Sequence, residues 1–487
     1  MNFDNEQWAS IYKTFEKIWG YQEFRPPQKE VISCLLQGRD ALIVMPTGGG
    51  KSICFQLPAL LKKGLTLVIS PLVALMENQV NELKNKQLPV ELLHNEIPRK
   101  QRKITLNKIN KQQLRLLYLS PETLLSPPVW ELLIKPHIEI NGLILDEAHC
   151  LVQWGETFRP SYSRLGAVRQ ALLKHKLSNK KIAIAAFTAT ADIKSQEIIK
   201  ASLKSKNSQI FAISPYRNNL KLAVRIAWTP RCRRHLLLNF INKQQKESGL
   251  VYIRSRKDSE ELSQWLQELN YKMSAYHAGL SALKRRQIED QWLEDKLQFV
   301  VCTSAFGLGI NKPDVRWIVH YQTPFLLSEY LQEIGRGGRD GKKANTLTLI
   351  SEPTGWLDPT DQQRNQYFLQ QLQKNYQQVK NHFHQIPKQG NIMNLKEDNP
   401  KIERILSLLY RCKQLKWLDP FNYELIADLS SFKISKLSKR YQQESQQMKQ
   451  YLMTRSCRWQ YILNAFGFTQ EAKGFKCGHC DNCLRKP

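Results

Sequence analysis

Met45-Pro46-Thr47-Gly48-Gly49-Gly50-Lys51-Ser52 follows the apolar run at residues 41–45 and precedes a helical stretch. Strand, glycine-rich turn and helix in that order form the setting a phosphate-binding loop needs. Glycines let backbone N–H groups approach phosphate oxygens at the positive end of the next helix. On this reading Thr47, Gly48, Gly49, Gly50, Lys51 and Ser52 bind ATP. Lys51 reaches the β- and γ-phosphates, and the Ser52 hydroxyl ligates Mg²⁺. Met45 stands where the general pattern has its first glycine, so the loop is a variant. A glycine-rich turn with an unrelated lysine is the competing reading, and the strand–loop–helix setting weighs against it.

A second acidic element points the same way. Leu143-Ile144-Leu145-Asp146-Glu147-Ala148-His149 ends an apolar strand in two carboxylates. Adjacent acids at a strand end can simply cap a helix. Paired with the phosphate loop, Asp146 is placed to hold Mg²⁺ and Glu147 to polarise the attacking water.

Outward from these motifs, short apolar runs alternate with amphipathic stretches. Residues 41–45, 65–70, 114–119, 143–145 and 182–187 read as buried parallel strands, and a second series follows at 250–253, 299–302, 317–321 and 346–350. Helical patterns lie between them, as at 259–269. The alternation, twice over, predicts an α/β protein of two tandem doubly wound parallel-sheet domains. The expected spans are 1–208, 209–352 and 353–487, with the first join near 208–215. Within the last span a helix is expected over 362–378, a linker over 387–400, helical periodicity over 402–418, a turn at Asp419-Pro420 and a long basic helix over 433–466. Residues 387–440 read as an insert, helical or wing-like, that binds DNA or packs on the motor through the basic stretch Lys433, Lys436, Lys439 and Arg440.

The 487 residues carry 72 Lys and Arg against 43 Asp and Glu, a formal net charge of +29. Such a surface attracts polyanions, nucleic acid first among them, although charge alone fits a merely solubilising surface too. No apolar run of membrane-spanning length is present, and the N-terminus lacks a signal-peptide pattern, so a cytoplasmic protein with no membrane partner is expected. Of ten cysteines, six are scattered, and four form the pattern Cys457-x₁₉-Cys477-x₂-Cys480-x₂-Cys483. Four thiolates at this spacing suit tetrahedral Zn²⁺, with an iron–sulfur cluster as the alternative. Cys457 is expected on the long helix and the others on a knuckle with Gly478, His479 being a bystander.

Asp-Glu-Ala-His after such a loop is the signature of superfamily 2 helicases. Phe24-Arg25-Pro26-Pro27-Gln28 lies just upstream of the loop, and Asp146-Glu147-Ala148-His149-Cys150 runs into Gln153-Trp154-Gly155-Glu156-Thr157-Phe158-Arg159-Pro160-Ser161-Tyr162. Together these resemble RecQ-family DNA helicases, over residues 8–350 and again at the tail cysteines.

The resemblance implies that Arg25 and Gln28 read the adenine edge and that Tyr21 stacks on the base. Pro27 replaces the family's usual glycine. Residues 154–162 resemble the family's aromatic-rich loop, so His149, Trp154, Phe158 and Arg159 sense single-stranded DNA and signal to the ATP site. Trp154 and Phe158 as one face of a buried helix is the plainer alternative. Residues 70–80 resemble the motif that contacts the DNA backbone, and Phe187-Thr188-Ala189-Thr190-Ala191 the motif that couples hydrolysis to movement through Thr188. Residues 301–312 resemble motif V. Gln332-Glu333-Ile334-Gly335-Arg336-Gly337-Gly338-Arg339 resembles motif VI, so Gln332, Arg336 and Arg339 join Lys51, Asp146 and Glu147 in catalysis, the arginines facing the γ-phosphate. The resemblance implies that the two doubly wound parallel-sheet domains are RecA-like and are followed by a helical zinc-binding subdomain, whose structural zinc site the tail cysteines match.

The activity implied is that of an ATP-dependent DNA helicase using ATP, Mg²⁺ and Zn²⁺, of 3′→5′ direction, translocating on single-stranded DNA and unwinding tailed or forked duplexes in repair or recombination, at the nucleoid if bacterial. Competing readings are an RNA helicase or remodelling ATPase of the same superfamily, a DNA translocase with weak unwinding, and a non-catalytic DNA-binding scaffold. The sequence expectation is a short form, without the winged-helix and small helical domains that commonly follow the zinc knuckle. Oligomeric state and protein partners, a single-strand-binding protein among the conceivable ones, are not written in these residues.

Overall fold

Four-to-six-residue runs of Leu, Ile, Val and Ala cannot stay in water, and a parallel sheet covered on both faces is where such runs are buried. A computed structural model of the chain describes residues 3–485 except 47, 153–158, 177–180, 307–311, 384–385, 400 and 427–434. It divides into two units: 1–213 with 376–436, and 214–375 with 437–487. Among the described residues no helix is long and apolar enough to cross a membrane.

The first unit is built on strands β1 (Ala41–Val44), β2 (Leu65–Ile69), β3 (Val90–Leu93), β4 (Leu116–Leu119), β5 (Ile140–Leu145), β6 (Ala183–Thr188) and β7 (Gln209–Ala212). They form one parallel sheet in the order β3-β4-β2-β5-β6-β1-β7. Because β5, β6 and β1 are neighbours, Asp146, Thr188 and the glycine-rich loop emerge side by side at the carboxyl ends of the strands, the place where ligands bind in open α/β sheets. The expected boundary at 208 falls before β7. Since β7 pairs with β1, the first domain runs on to residue 213.

The second unit holds β8 (Leu220–Ala227), β9 (Gly249–Tyr252), β10 (Met273–Tyr276), β11 (Phe299–Cys302), β12 (Trp317–His320) and β13 (Ala344–Ser351), ordered β10-β11-β9-β12-β13-β8 and all parallel. Gly249 at the start of β9 is a space requirement: a Cβ there would lie 2.0 Å from the Trp317 ring.

Residues 353–487 are not one domain. The helix Thr360–His382 carries the chain out of the second unit and the helix Ser435–Met453 carries it back. Between them lies a small module of the first unit. The stretch expected as a linker forms β14 (Gln389–Asn391) and a helix Ile392–Asp398, capped by the Asn391 side chain, which accepts from Met393 N at 2.8 Å. The periodicity over 402–418 is helical only for Ile402–Arg411. Lys413 then turns left-handed (φ 59°), and the chain enters β15 (Leu415–Trp417). Asp419 organises the expected turn by accepting from Phe421 N and Asn422 N, at 2.8 and 2.9 Å, and β16 (Asn422–Leu425) returns between β14 and β15. Two helices and a three-stranded antiparallel sheet thus occupy residues 389–425. Lys433 lies outside the described residues, as do the side chains of Lys436, Lys439 and Arg440.

The long basic helix also breaks. It ends at Met453, and a new helix, Arg458–Ala465, begins after Cys457. Ser456 N donates to Thr454 Oγ1 at 3.2 Å, a local side-chain bond that competes with the helical one. The Asn482 amide donates to the Thr454 and Ser456 carbonyls at 2.7 and 2.8 Å, so the freed acceptors are satisfied. Cys457 thus sits in the break, not on the long helix.

Candidate ATP site and zinc centre

The loop after β1 delivers Lys51 as the first residue of the helix Lys51–Leu61. Gly48 (φ 83°) and Gly50 (φ 76°) take left-handed conformations that glycine adopts without cost. A Cβ on Gly50 would come within 2.3 Å of Gln28 Nε2. The buried Gln28 side chain donates from Nε2 to the Gly50 carbonyl (3.1 Å) and accepts from Arg25 N (2.8 Å), tying the upstream Arg25–Gln28 motif to the phosphate loop. Arg25 is exposed, and Tyr21 is 52% exposed, leaving its ring face open to a base. Thr47 is outside the described residues.

The Lys51 ammonium is buried and has no hydrogen-bond partner among the described residues. Such a cation is costly unless a partner arrives, and an anion is the partner that suits it. The opposite deficit stands at the end of β5. Asp146 is buried, and its carboxyl is pushed up to about 6 by burial and by the adjoining Glu147, partly offset by Lys51. A donor set of that kind fits a hard divalent cation, which would hold the carboxylate ionised.

Glu147 is forced into the left-handed region (φ 50°), a strain that non-glycine residues carry mainly at functional sites. Its Oε2 lies 3.1 Å from His149 Nδ1, and the same nitrogen is 3.4 Å from Thr188 Oγ1 on β6. Glu147, His149 and Thr188 therefore form one buried relay along the strand ends. Trp154 and Phe158 lie outside the described residues. Arg159 is described, and its charge is already engaged: Nη1 contacts Glu122 Oε2 at 2.8 Å, and Ser161 Oγ donates to the other oxygen at 2.7 Å.

In the second unit, the helix Leu327–Ile334 carries Gln332 and leads into Arg336 and Arg339. Glu333 holds this helix to the sheet. It binds Arg254 through both oxygens, at 2.9 and 2.6 Å, and His320 Nε2 at 3.0 Å. Burial pushes the Glu333 carboxyl up, but Arg254 and His320 outweigh it and hold it near about 2. Arg336 is buried facing the Tyr252 hydroxyl, and Gln332 Nε2 is buried without a hydrogen-bond partner among the described residues. Motif V residues 307–311 are not described.

The four tail cysteines come together, with all four Sγ atoms within 4.8 Å of one another. Cys477 N donates to Cys457 Sγ and Cys480 N to Cys477 Sγ, both at 3.3 Å, as thiolates bound to a metal accept. The group fits tetrahedral zinc. His479 is turned away, its Nδ1 2.7 Å from the Cys477 carbonyl.

Three family models match: DEAD/DEAH box helicase over residues 25–199, helicase conserved C-terminal domain over 232–341, and RecQ zinc-binding over 426–484. The chain is 52% identical to the ATP-dependent DNA helicase RecQ of Synechocystis over 98% of both chains. The chain belongs to the RecQ family of ATP-dependent DNA helicases. It is 38% identical to the Haemophilus influenzae RecQ helicase over 70% of its own length, which spans 54% of that relative. Among solved structures it resembles S. cerevisiae Dbp5 bound to RNA and ADP BeF3 (TM-score 0.57, 17% identity, 73% of this chain and 89% of that one). It also resembles Mycobacterium smegmatis helicase Lhr bound to ssDNA and AMP-PNP (TM-score 0.56, 20% identity, 71% and 47%). At these identities the likeness is one of fold.

The family's zinc module is welded to the second sheet. The buried Asp481, two residues before Cys483, accepts from Val224 N on β8 at 2.9 Å and binds Arg458 at 2.5 and 2.9 Å. Trp459 Nε1 donates to the Leu220 carbonyl at 3.2 Å. Sequence reading of the RecQ motifs missed Glu122, Arg254, His320, Arg458 and Asp481. Each acts through a partner distant in sequence, and of these only Asp481, the acid inside the knuckle, carried a local signal.

Proposed function

We propose that this chain is a DNA-stimulated ATPase that translocates 3′→5′ along single-stranded DNA and separates tailed or forked duplexes, in DNA repair or recombination at the nucleoid. The buried, partnerless Lys51 ammonium beside the raised Asp146 carboxyl carries the reading, because together they fit a Mg²⁺-nucleotide. The DNA substrate and the direction rest on kinship with the RecQ helicases.

Tyr21, Arg25 and Gln28 bind the base, the latter two also setting the loop through Gly50. Thr47, Gly48, Gly49 and Gly50 offer backbone donors, and Lys51 holds the terminal phosphates. Ser52 and Asp146 would hold Mg²⁺, which, when bound, neutralises charge on those phosphates. Glu147 orients and deprotonates the attacking water, His149 holding its carboxylate while touching Thr188. The relay gives the DNA-sensing loop at Trp154 and Phe158, with Arg159 at its edge, a route to the base. Gln332, Arg336 and Arg339, the motif VI residues of the RecQ family, supply charge to the transition state. Arg336→Ala is expected to lower DNA-stimulated turnover ~10³-fold with ATP affinity kept, as loss of an arginine finger does. A turnover within threefold of the parent would remove Arg336 from catalysis.

The deciding experiment is strand separation on 3′-tailed, 5′-tailed and forked duplexes with ATP and Mg²⁺. The expected result is unwinding of 3′-tailed and forked substrates. Preference for the 5′ tail would overturn the direction, and stronger ATPase stimulation by RNA than by DNA would overturn the substrate. ATPase activity without strand separation would leave a translocase.

A further inference from the structure

The wing-like module over 389–425 grips both ends of the segment that carries the aromatic-rich loop. On the upstream side, Arg411 Nη2, at the end of the helix Ile402–Arg411, donates to the Val152 carbonyl. Val152 N in turn donates to the His149 carbonyl at 2.8 Å, two residues from Glu147. On the downstream side, the same helix lies along the turn Pro160–Arg164, and Glu403 pairs with the buried Arg164. Lys396 holds the other Glu403 oxygen at 2.6 Å, and Arg164 Nη1 donates to the Pro420 carbonyl at 3.3 Å. The hairpin turn is seated too. Phe421 packs edge-on against Trp130, ring centroids 5.4 Å apart, and joins the core of the first sheet.

A hairpin with its turn packed into the motor is not free to split strands. A helix that holds residue 152 with one end and residue 164 with the other instead fixes the span between them. We propose that this module is a brace for the DNA-sensing loop, with Glu403 and Arg411 as positioning residues that set how strongly DNA stimulates ATP hydrolysis. The proposal rests on the reading of the Trp154–Phe158 stretch as the DNA sensor. Holding both flanks places the pull of the stretch between them directly on the backbone that leads to His149 and Glu147.

The test uses the full, zinc-loaded chain and compares Glu403→Gln and Arg411→Gln with the parent. ATP turnover is measured without DNA and across a titration of oligo(dT), together with the thermal midpoint. Basal turnover should stay within twofold. DNA-stimulated turnover should fall about 10-fold and the half-saturating DNA concentration should rise, since a loop misplaced by 1 Å can cost ~10²-fold. The charge swap Arg164→Glu with Glu403→Arg should recover at least half of the stimulation lost in Arg164→Glu alone. Variants with a lower thermal midpoint but full stimulation would reduce the module to a structural cover and overturn the brace, as would equal losses in basal and stimulated turnover. Trp154→Ala separates the premise from the proposal. If Trp154→Ala loses stimulation while Glu403→Gln and Arg411→Gln keep it, the brace alone falls. If Trp154→Ala keeps full stimulation, the sensor reading falls and takes the brace with it.

Discussion

Lys51→Ala should abolish ATP hydrolysis while leaving DNA affinity within about threefold. The ammonium sits buried at the first turn of a helix with no hydrogen-bond partner among the described residues, so removing it breaks no described hydrogen bond and relieves a buried charge. Folding should therefore be unharmed, or slightly improved. Hydrolysis should suffer severely. Loss of a single preorganised donor from an oxyanion-type site costs ~10²–10³-fold, and here the lost group also carries a full charge in a water-poor pocket. Asp146 would lose the Lys51 charge that offsets its burial and titrate still higher, which weakens the divalent site as well. Turnover measured by phosphate release, alongside DNA binding by fluorescence anisotropy, checks both halves. Substantial residual hydrolysis would show that the phosphates lie elsewhere.

Stripping zinc, or replacing Cys480 by Ser, should unfold the tail and destabilise the second domain with it. Structural zinc contributes about 10–16 kcal/mol in isolated zinc-finger peptides, comparable to the whole stability of a domain. Cys480 is fully buried in the same core as Leu220, Tyr330, Tyr451 and Trp459. Once the knuckle opens, Asp481 leaves Arg458 and the β8 amide, exposing a buried charge pair that is stable only when complete. The expected observations are one zinc per chain, a thermal midpoint that falls by more than 10 °C on chelation (about ΔΔG/ΔS for a loss of several kcal/mol), and failure of Cys480→Ser to accumulate as a soluble monodisperse protein. A metal-free chain with an unchanged midpoint would mean the thiols alone hold the fold.

The two parallel sheets were legible from the middle outward. All nine strands expected from apolar runs are present, and the four that were not anticipated, β3, β7, β8 and β10, are the four sheet edges. Central strands are covered on both faces and read as unbroken apolar runs. Edge strands such as β8, with Lys221 and Arg225 exposed between buried Leu220, Leu222 and Val224, alternate and resemble loop. The nucleotide motifs were readable because phosphate chemistry fixes residue types within a few positions of one another. The zinc ligands were readable for the same reason, but not the helix break that presents Cys457, which a Thr454–Ser456 side-chain bond decides. The module at 389–425 hid because its three strands are three or four residues long and its cohesion comes from Arg164, Trp130 and Val152, more than two hundred residues earlier.

The chain passes between its two units three times, at 213/214, 375/376 and 436/437. Seen from the ribosome, the first motor domain is therefore still incomplete long after its own sheet has been made. Its sheet can form when residue 213 has emerged, but the seat for Phe421 beside Trp130, and the carboxylate that neutralises Arg164, come only after the entire second sheet has been made. At about 5–20 residues per second that interval is on the order of tens of seconds. Through that time the nascent domain lacks Phe421 against Trp130 and Glu403 against Arg164, so a stop codon before residue 400 would yield a protein with every nucleotide motif intact and an unfinished surface.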